Sequence, residues 1–321
     1  MTRIGVPVVV LVLGALCAGA MALGLSIGSS GWRGDALPAL FAGDQIITFL
    51  RAPRVLTSAL CGASLALAGV AMQTVLRNDL ADPYVLGIAG GASAGAVLSL
   101  ALWPSLPPGP AAAGGGAAAT ILVRGIARGP YNPTRLLLGG IAVGSILASL
   151  TGLVLVLAPS ERLLRSATFW LFGGFGTPVL GSLTVPAVLL ATSFAWMTFH
   201  AERLDRLSLG DDVAASLGTD VRKTRAGLLT IAIVLTAAVV AVGGLIGFVG
   251  LIAPHAGRGI VGATHRRLLP VATLLGALLV VAADAVARTA FSPREVPVGL
   301  VTAAVGGPFF LWLLQRRRAW A

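Results

Sequence analysis

Few residues in this chain have the types and spacing that chemistry needs. Asn78-Asp79-Leu80-Ala81-Asp82 reads N-D-x-x-D, the pattern with which intramembrane prenyltransferases hold a diphosphate through Mg²⁺. Such hard cations want several oxygen ligands. In that pattern a further Asp belongs at position 86, where Leu86 stands; Pro83 follows at once, and no second Asp-rich pair occupies a matching loop. His200, His255 and His265 lie at the ends of apolar runs in separate loops and read as polar caps rather than a ligand set. Cys17 and Cys61 sit inside apolar runs without metal-ligand spacing, as buried inert thiols do. The Lys223-Thr224 pair follows Arg222, whereas a phosphate cradle needs G-x-x-x-x-G-K-S/T. The chain is therefore expected to hold no catalytic residue, no metal and no nucleotide. Any ATP energy has to come from another subunit.

The elements that would position a site are apolar throughout. Of 321 residues, 56% are apolar and 11% charged, with a mean hydropathy of +0.92. A soluble domain is about 25% charged, so a disordered chain and a water-soluble enzyme are both excluded. A bilayer span needs about 20 apolar residues. Ten runs qualify: Val6–Leu25, Val55–Leu76, Tyr84–Trp103, Pro110–Val123, Leu136–Leu157, Leu183–Phe199, Ala226–Val242, Gly244–Val261, Leu268–Val286 and Val298–Leu314. The fourth is short and Gly/Ala-rich, and only Gly243 and Gly244 separate the seventh from the eighth. Arg3 before the first run, and Ala18-Gly19-Ala20 within it, resemble a signal peptide, but the length suits an uncleaved span.

The net charge of +11 fits basic loops on the cytoplasmic side of a membrane protein and implies no nucleic acid. With both termini inside, seven arginines fall outside: Arg33, Arg51, Arg54, Arg162, Arg165, Arg288 and Arg294. The other sixteen of the 23 basic residues fall inside. Dropping the weak fourth run would invert the later loops, so the charge bias keeps it. Gly87, Gly91 and Gly95, Gly140 and Gly144, and Gly243 and Gly247 repeat at four, a spacing that lets helix backbones approach closely in lipid.

An ion-coupled secondary transporter usually carries ionisable groups at mid-membrane depth. Here Asp284 and Arg288 lie near one end of the ninth run and the other charges lie in loops, which disfavours that class. The polar stretch Ala201–Arg225 is more informative. Gly210-Asp211-Asp212 and Gly218 bracket a short helix, with acidic residues where the helix dipole favours them and a glycine at the left-handed C-terminal cap. Val213, Ala214 and Leu217 share a small apolar face, which suits either docking into a groove of a partner or an ordinary solvated connection.

At this stretch and on both sides of it, over roughly residues 45 to 316, the sequence resembles the permease family of bacterial ABC importers for iron chelates, haem and cobalamin, the FecCD type. The resemblance lies in Arg51–Leu56 (RAPRVL), Gly69–Gln73 (GVAMQ), Arg77–Pro83 (RNDLADP), Phe169–Gly176 (FWLFGGFG) and Leu207–Gly218. It continues in Gly247–His255 (GFVGLIAPH), His265–Pro270 (HRRLLP), Ala283–Arg288 (ADAVAR) and Glu295–Gly299 (EVPVG). The order of these segments carries the specificity. The sequence departs from the family at Asp79, where Pro is usual, at Thr264, where Asp often precedes His265, and in its shortened fourth span.

The resemblance implies an all-α polytopic membrane protein of about ten transmembrane helices with the type II ABC importer permease fold, residues 1–321 forming one permease domain. It places the chain in the bacterial cytoplasmic (inner) membrane with both termini cytoplasmic. It also implies a second permease subunit in a homodimer, two copies of a cytoplasmic ATP-binding subunit, and a periplasmic or lipid-anchored substrate-binding protein. ATP and Mg belong to the ATPase, and no cofactor to this subunit. The cargo is a ferric siderophore, haem or cobalamin, with Trp170–Gly176 most similar to cobalamin permeases.

Residue roles follow from the same resemblance. A coupling helix at about 207–218 presents Leu207, Gly210, Asp211, Ala214, Ala215 and Gly218 to the ATPase. Arg51, Arg54 and Arg288 face the binding protein, and exposed guanidinium forks on an apolar rim suit carboxylate partners. Asn78 and Leu80, with Thr134 near a second constriction, narrow the cytoplasmic mouth; an uncharged gate suits a bulky chelate already recognised elsewhere.

Overall fold

The structure, a computed structural model, describes residues 5–28, 31–32, 34–126, 132–158 and 160–318, without the side chains of 32 and 316–318. Arg3, Arg33, Arg128 and the Arg316–Arg318 side chains, all used in the charge count, lie outside the described residues.

Helices α1 (Val6–Ser26), α3 (Ala52–Leu76), α4 (Ile88–Leu102), α5 (Pro108–Ile126) and α6 (Pro133–Val156) cover the first five expected spans. Between them lie the two-residue antiparallel strands β1 (Ile27–Gly28) and β2 (Gly31–Trp32) and the short helix α2 (Ala36–Phe41). Then come α7 (Glu161–Leu171), α8 (Thr184–Phe199), α9 (Ala201–Ser208), α10 (Asp211–Ser216), α11 (Val221–Gly243), α12 (Val249–Val261), α13 (His265–Thr289) and α14 (Val298–Arg318). Every expected span coincides with a helix, and seven are long and apolar enough to cross a membrane among the described residues. α4, α5 and α12 are the exceptions. Lipid offers backbone groups no partners, so a spanning segment must satisfy its own, as a helix does.

Local sequence sets the helix ends. Asn132, Ser160 and Asp220 accept the backbone N–H three residues on, at the starts of α6, α7 and α11, which satisfies donors that a helix leaves open. The fourth span is not short: α5 runs 19 residues without a break. The junction between the seventh and eighth spans is wider than two glycines. The chain leaves helix from Gly244 to Phe248, with left-handed φ angles at both. Gly243 and Gly247 therefore do not share a helix face.

α3 is the hub. In the segment Ile47–Leu76, 83% of the apolar window is buried inside the chain, against α11, α12 and α13. The approach is close because a Cβ on Gly69 would run into the Gly250 carbonyl. The four-residue repeat acts likewise between α4 and α5, where a Cβ on Gly91 would meet the Gly115 carbonyl.

Candidate functional site

Three clusters of polar residues stand out from the apolar bundle. The first is the α9–α10 unit. α9 is anchored by Leu204 and Leu207, both fully buried. Gly210, at φ 120° and ψ 159°, turns the chain through a region that is essentially glycine's alone. α10 then carries Asp211 and Asp212 in its first turn. It ends at Gly218, φ 77°, with Gly218 N–H donating to Ala215 O and Thr219 N–H to Ala214 O, each at 2.9 Å. This paired closure is a Schellman cap. The unit is clamped at both ends: Arg225 Nη2 donates to Asp211 Oδ1 at 2.6 Å, and Arg206 Nη1 to Leu217 O at 3.0 Å.

Two expectations are corrected here. Ala214 is fully buried and Leu207 is a core anchor, so neither is presented to a partner. A six-residue helix lying on a bundle turns one side inward, and position 214 is on it. The exposed side carries Asp212, Val213, Ala215, Ser216, Leu217 and Gly218.

The second cluster follows α3. Arg77 ends that helix in a left-handed conformation, φ 49°, and the side chain of Asn78 accepts from Leu80 N–H at 3.0 Å, an Asx-type turn. Leu80 lines an apolar hollow of about 470 Å³ with Asp82, Tyr84, Phe248, Leu251 and Phe310. Buried Gln73 braces the loop, donating to Ala81 O at 3.3 Å and Gly250 O at 3.2 Å while its Oε1 accepts from Arg258 at 2.5 Å. Asp79 pairs with Arg258 at 3.6 Å. Asp82 accepts from Tyr84 N–H at 2.9 Å and caps the 3₁₀ turn Pro83–Leu86. Burial pushes its carboxyl up to about 6, against the N–H donors of Tyr84 and Phe248. The two aspartates of the N-D-x-x-D motif are thus occupied in holding the loop. Thr134 is exposed on the first turn of α6, and no hydrogen bond among the described residues joins it to Asn78 or Leu80.

The third cluster lies at the opposite end of α3. Arg51, Arg54 and Arg288 line a hollow of about 170 Å³ with Glu295, Gly28 and Thr177. They are not exposed forks: Arg51 is 5% and Arg288 3% accessible. Arg51 Nη1 donates to Leu25 O at 2.8 Å and Ser26 O at 2.9 Å, and Nη2 to Gly31 O at 3.3 Å. Arg288 Nη1 donates to Gly24 O at 3.2 Å and Ile27 O at 2.9 Å. The carbonyls of Gly24, Leu25, Ser26 and Ile27 are those that the end of α1 leaves open, so two arginines serve as its cap, and the bond to Gly31 O ties β2 to it. Arg54 bridges Asp284 at 3.1 Å and Glu295 at 2.7 Å, and Arg288 Nε meets Asp284 at 3.0 Å. The i, i+4 spacing of Asp284 and Arg288 made their pairing legible; Glu295 gave no such signal.

The histidines do not converge. His200 stacks on Trp196 with ring centroids 4.3 Å apart, His255 meets Phe309 edge-on, and His265 bonds Asp205 and Thr74. No group of three His, Cys, Asp or Glu side chains able to hold a metal occurs among the described residues.

The profile of the FecCD transport family matches residues 8–316. The hemin transport system permease protein HmuU of Yersinia pestis is 38% identical over 318 residues, 97% of this chain and 93% of its own. The cobalamin import system permease protein BtuC of Halobacterium salinarum is 41% identical over 276 residues, 85% of this chain and 74% of its own. A solved chain described as a metal-chelate type ABC transporter in an inward-facing conformation superposes with a TM-score of 0.85 at 31% identity, over 97% of this chain and 99% of that one.

Proposed function

Since the chain belongs to the FecCD transport family, and so is an ABC transporter permease subunit rather than an enzyme, we propose that it carries a metal chelate across the bacterial inner membrane. The observation that carries the reading is the α9–α10 unit. It is a short rigid helix clamped by Arg206 and Arg225, on a bundle whose sequence has no phosphate cradle of its own. A separate ATPase, present twice and holding the ATP and Mg, docks on α10 through Gly210, Asp211, Ala215 and Gly218 and the exposed Val213 and Leu217. This face and both ends of the chain are cytoplasmic. No cofactor belongs to this subunit, and residues 1–321 act as one permease domain paired with a second copy.

At the opposite, outer face a periplasmic or lipid-anchored binding protein docks over Arg51, Arg54 and Arg288. Of the three, Arg54 keeps 13% of its side chain accessible beside Glu295 and is the one to meet a partner's carboxylate. The loop Asn78–Leu80, with Thr134 at a second constriction, gates the inner mouth. HmuU and BtuC, named for hemin and cobalamin, support a metal chelate as cargo.

The test is reconstitution. Ser216→Cys on the exposed side of α10 should crosslink to the ATPase. ATP hydrolysis by the assembled complex with its binding protein should rise with haemin, cyanocobalamin or a ferric siderophore. A complex that none of these stimulates, while a non-metallated solute does, refutes the chelate reading.

A further inference from the structure

His265 holds two elements at once. Its Nδ1 lies 2.6 Å from Asp205 Oδ1 on α9, and its backbone N–H donates to the same oxygen at 2.9 Å. Its Nε2 lies 2.8 Å from Thr74 Oγ1 on α3, and the same hydroxyl lies 2.8 Å from Val70 O. His265 and Thr74 are each 3% accessible. The imidazole is therefore a rigid plate with both edges engaged, one on each helix.

The surroundings make this strut mechanically distinct. A hollow of about 500 Å³ lies beside it, lined among others by Arg77, Asp79, Leu209 and Arg258, so on this side α9 and the end of α3 are separated by space. Elsewhere α9 meets the core through Leu204 and Leu207. Packed apolar contacts transmit a push without fixing its direction, whereas hydrogen bonds are directional and weaken steeply off their preferred geometry. Thr74 also adjoins Gln73, which grips Ala81 O and Gly250 O. A continuous set of directional bonds thus runs from α9 through the ring to α3, and from there to the loop that follows α3.

We infer that His265 is a positioning residue that transmits displacement of the α9–α10 unit to α3 and, through Gln73, to the Asn78–Leu80 loop. The inference rests on the reading of α10 as the ATPase contact.

The test uses the permease assembled with its ATPase in lipid nanodiscs, in a Cys17→Ser, Cys61→Ala background. Two crosslinks are followed with and without ATP and Mg²⁺: Ser216→Cys to the ATPase, and Leu80→Cys between the two permease copies. The backbone N–H of residue 265 keeps its bond to Asp205 in every variant; the side chain in His265→Asn can reach Asp205 but not Thr74, that in His265→Gln can reach Thr74 but not Asp205, and Thr74→Val is near-isosteric. All three should keep the Ser216 crosslink and ATP hydrolysis. Each should lose the nucleotide response of the Leu80 crosslink by about tenfold, inside the range of about 5- to 150-fold for coupled sites. Thr74→Val with His265→Gln should be no worse than either alone, as for residues in one network. A nucleotide response that persists in Thr74→Val overturns the inference, and so does loss of the Ser216 crosslink in the variants, which would place His265 in docking. A parent protein whose Ser216→Cys never reaches the ATPase refutes the docking reading itself, and the transmission role falls with it.

Discussion

Replacing Arg51 by Met tests whether the guanidinium is held for a partner or for this chain. The substitution keeps most of the length and apolar stem and removes, among the described residues, the hydrogen bonds to Leu25 O, Ser26 O and Gly31 O. A bond to a charged group is worth about 1.5–3 kcal/mol net, so three in full would come to roughly 4.5–9 kcal/mol. Two discounts apply. Leu25 and Ser26 share one nitrogen, and Gly31 is exposed with a longer bond. About 3–5 kcal/mol remains, as for a charged donor bonded to buried carbonyls that are left without it. At roughly 2 °C per kcal/mol for a chain of this size, the thermal midpoint in nanodiscs, followed by tryptophan fluorescence, should fall by about 6–10 °C. Arg165→Met is the control, since its side chain is 80% accessible; the expected change is under about 0.5 kcal/mol. An Arg51→Met permease with a parental midpoint but weakened binding-protein affinity would refute the capping argument and return the residue to docking alone.

Gly218→Ala meets open space but needs a left-handed residue, so its cost should be local, about 1 kcal/mol. It should lower chelate-stimulated ATP hydrolysis while the thermal midpoint stays put. Ala214→Trp should break α10 off the bundle, seen as faster amide exchange over residues 211–219, whereas Leu217→Asp on the exposed side should weaken ATPase crosslinking with exchange unchanged. Gly91→Ala drives a methyl into the Gly115 carbonyl and should cost about 1–3 kcal/mol in unfolding, as overpacking does. Asp82 has its folded value raised from 3.8 to about 6, so the native state binds this proton more tightly than the unfolded one. Its contribution is best below about pH 4 and is lost as pH rises through about 6; Asp82→Asn, which still caps, should flatten the midpoint between pH 4 and 7.

The spans were legible because the apolar runs are long and charges interrupt them. The break at Gly244–Phe248 was partly hidden, since apolar Leu245, Ile246 and Phe248 continue the hydropathy while the backbone turns away. Local chemistry announced α10 and its Gly218 cap correctly. The inward turn of Ala214 was not legible, because a six-residue helix has too little sequence to reveal which side meets the bundle. The arginines illustrate the same limit. Their type pointed to an exposed fork, but the open carbonyls at the end of α1 lie 25 and 26 positions from Arg51 and 261 to 264 from Arg288. No local pattern encodes such distances. Asp205 and Thr74 went unnoticed for that reason too, being 60 and 191 positions from the histidine that joins them.

The burial of α3 bears on how the chain is made. Its packing partners α11, α12 and α13 begin at Val221, Val249 and His265, so well over a hundred residues must be synthesised after α3 before the first of them exists. At about 5–20 residues per second the helix waits on the order of ten seconds with Thr57, Ser58, Gln73 and Thr74 uncovered. During that interval the hydroxyls of Thr57, Ser58 and Thr74 can bond to their own helix, but the Gln73 amide has yet to meet Gly250 O. A ribosome stalled before α11 would leave a chain with every early span inserted and its central one without α11, α12 or α13 to cover it.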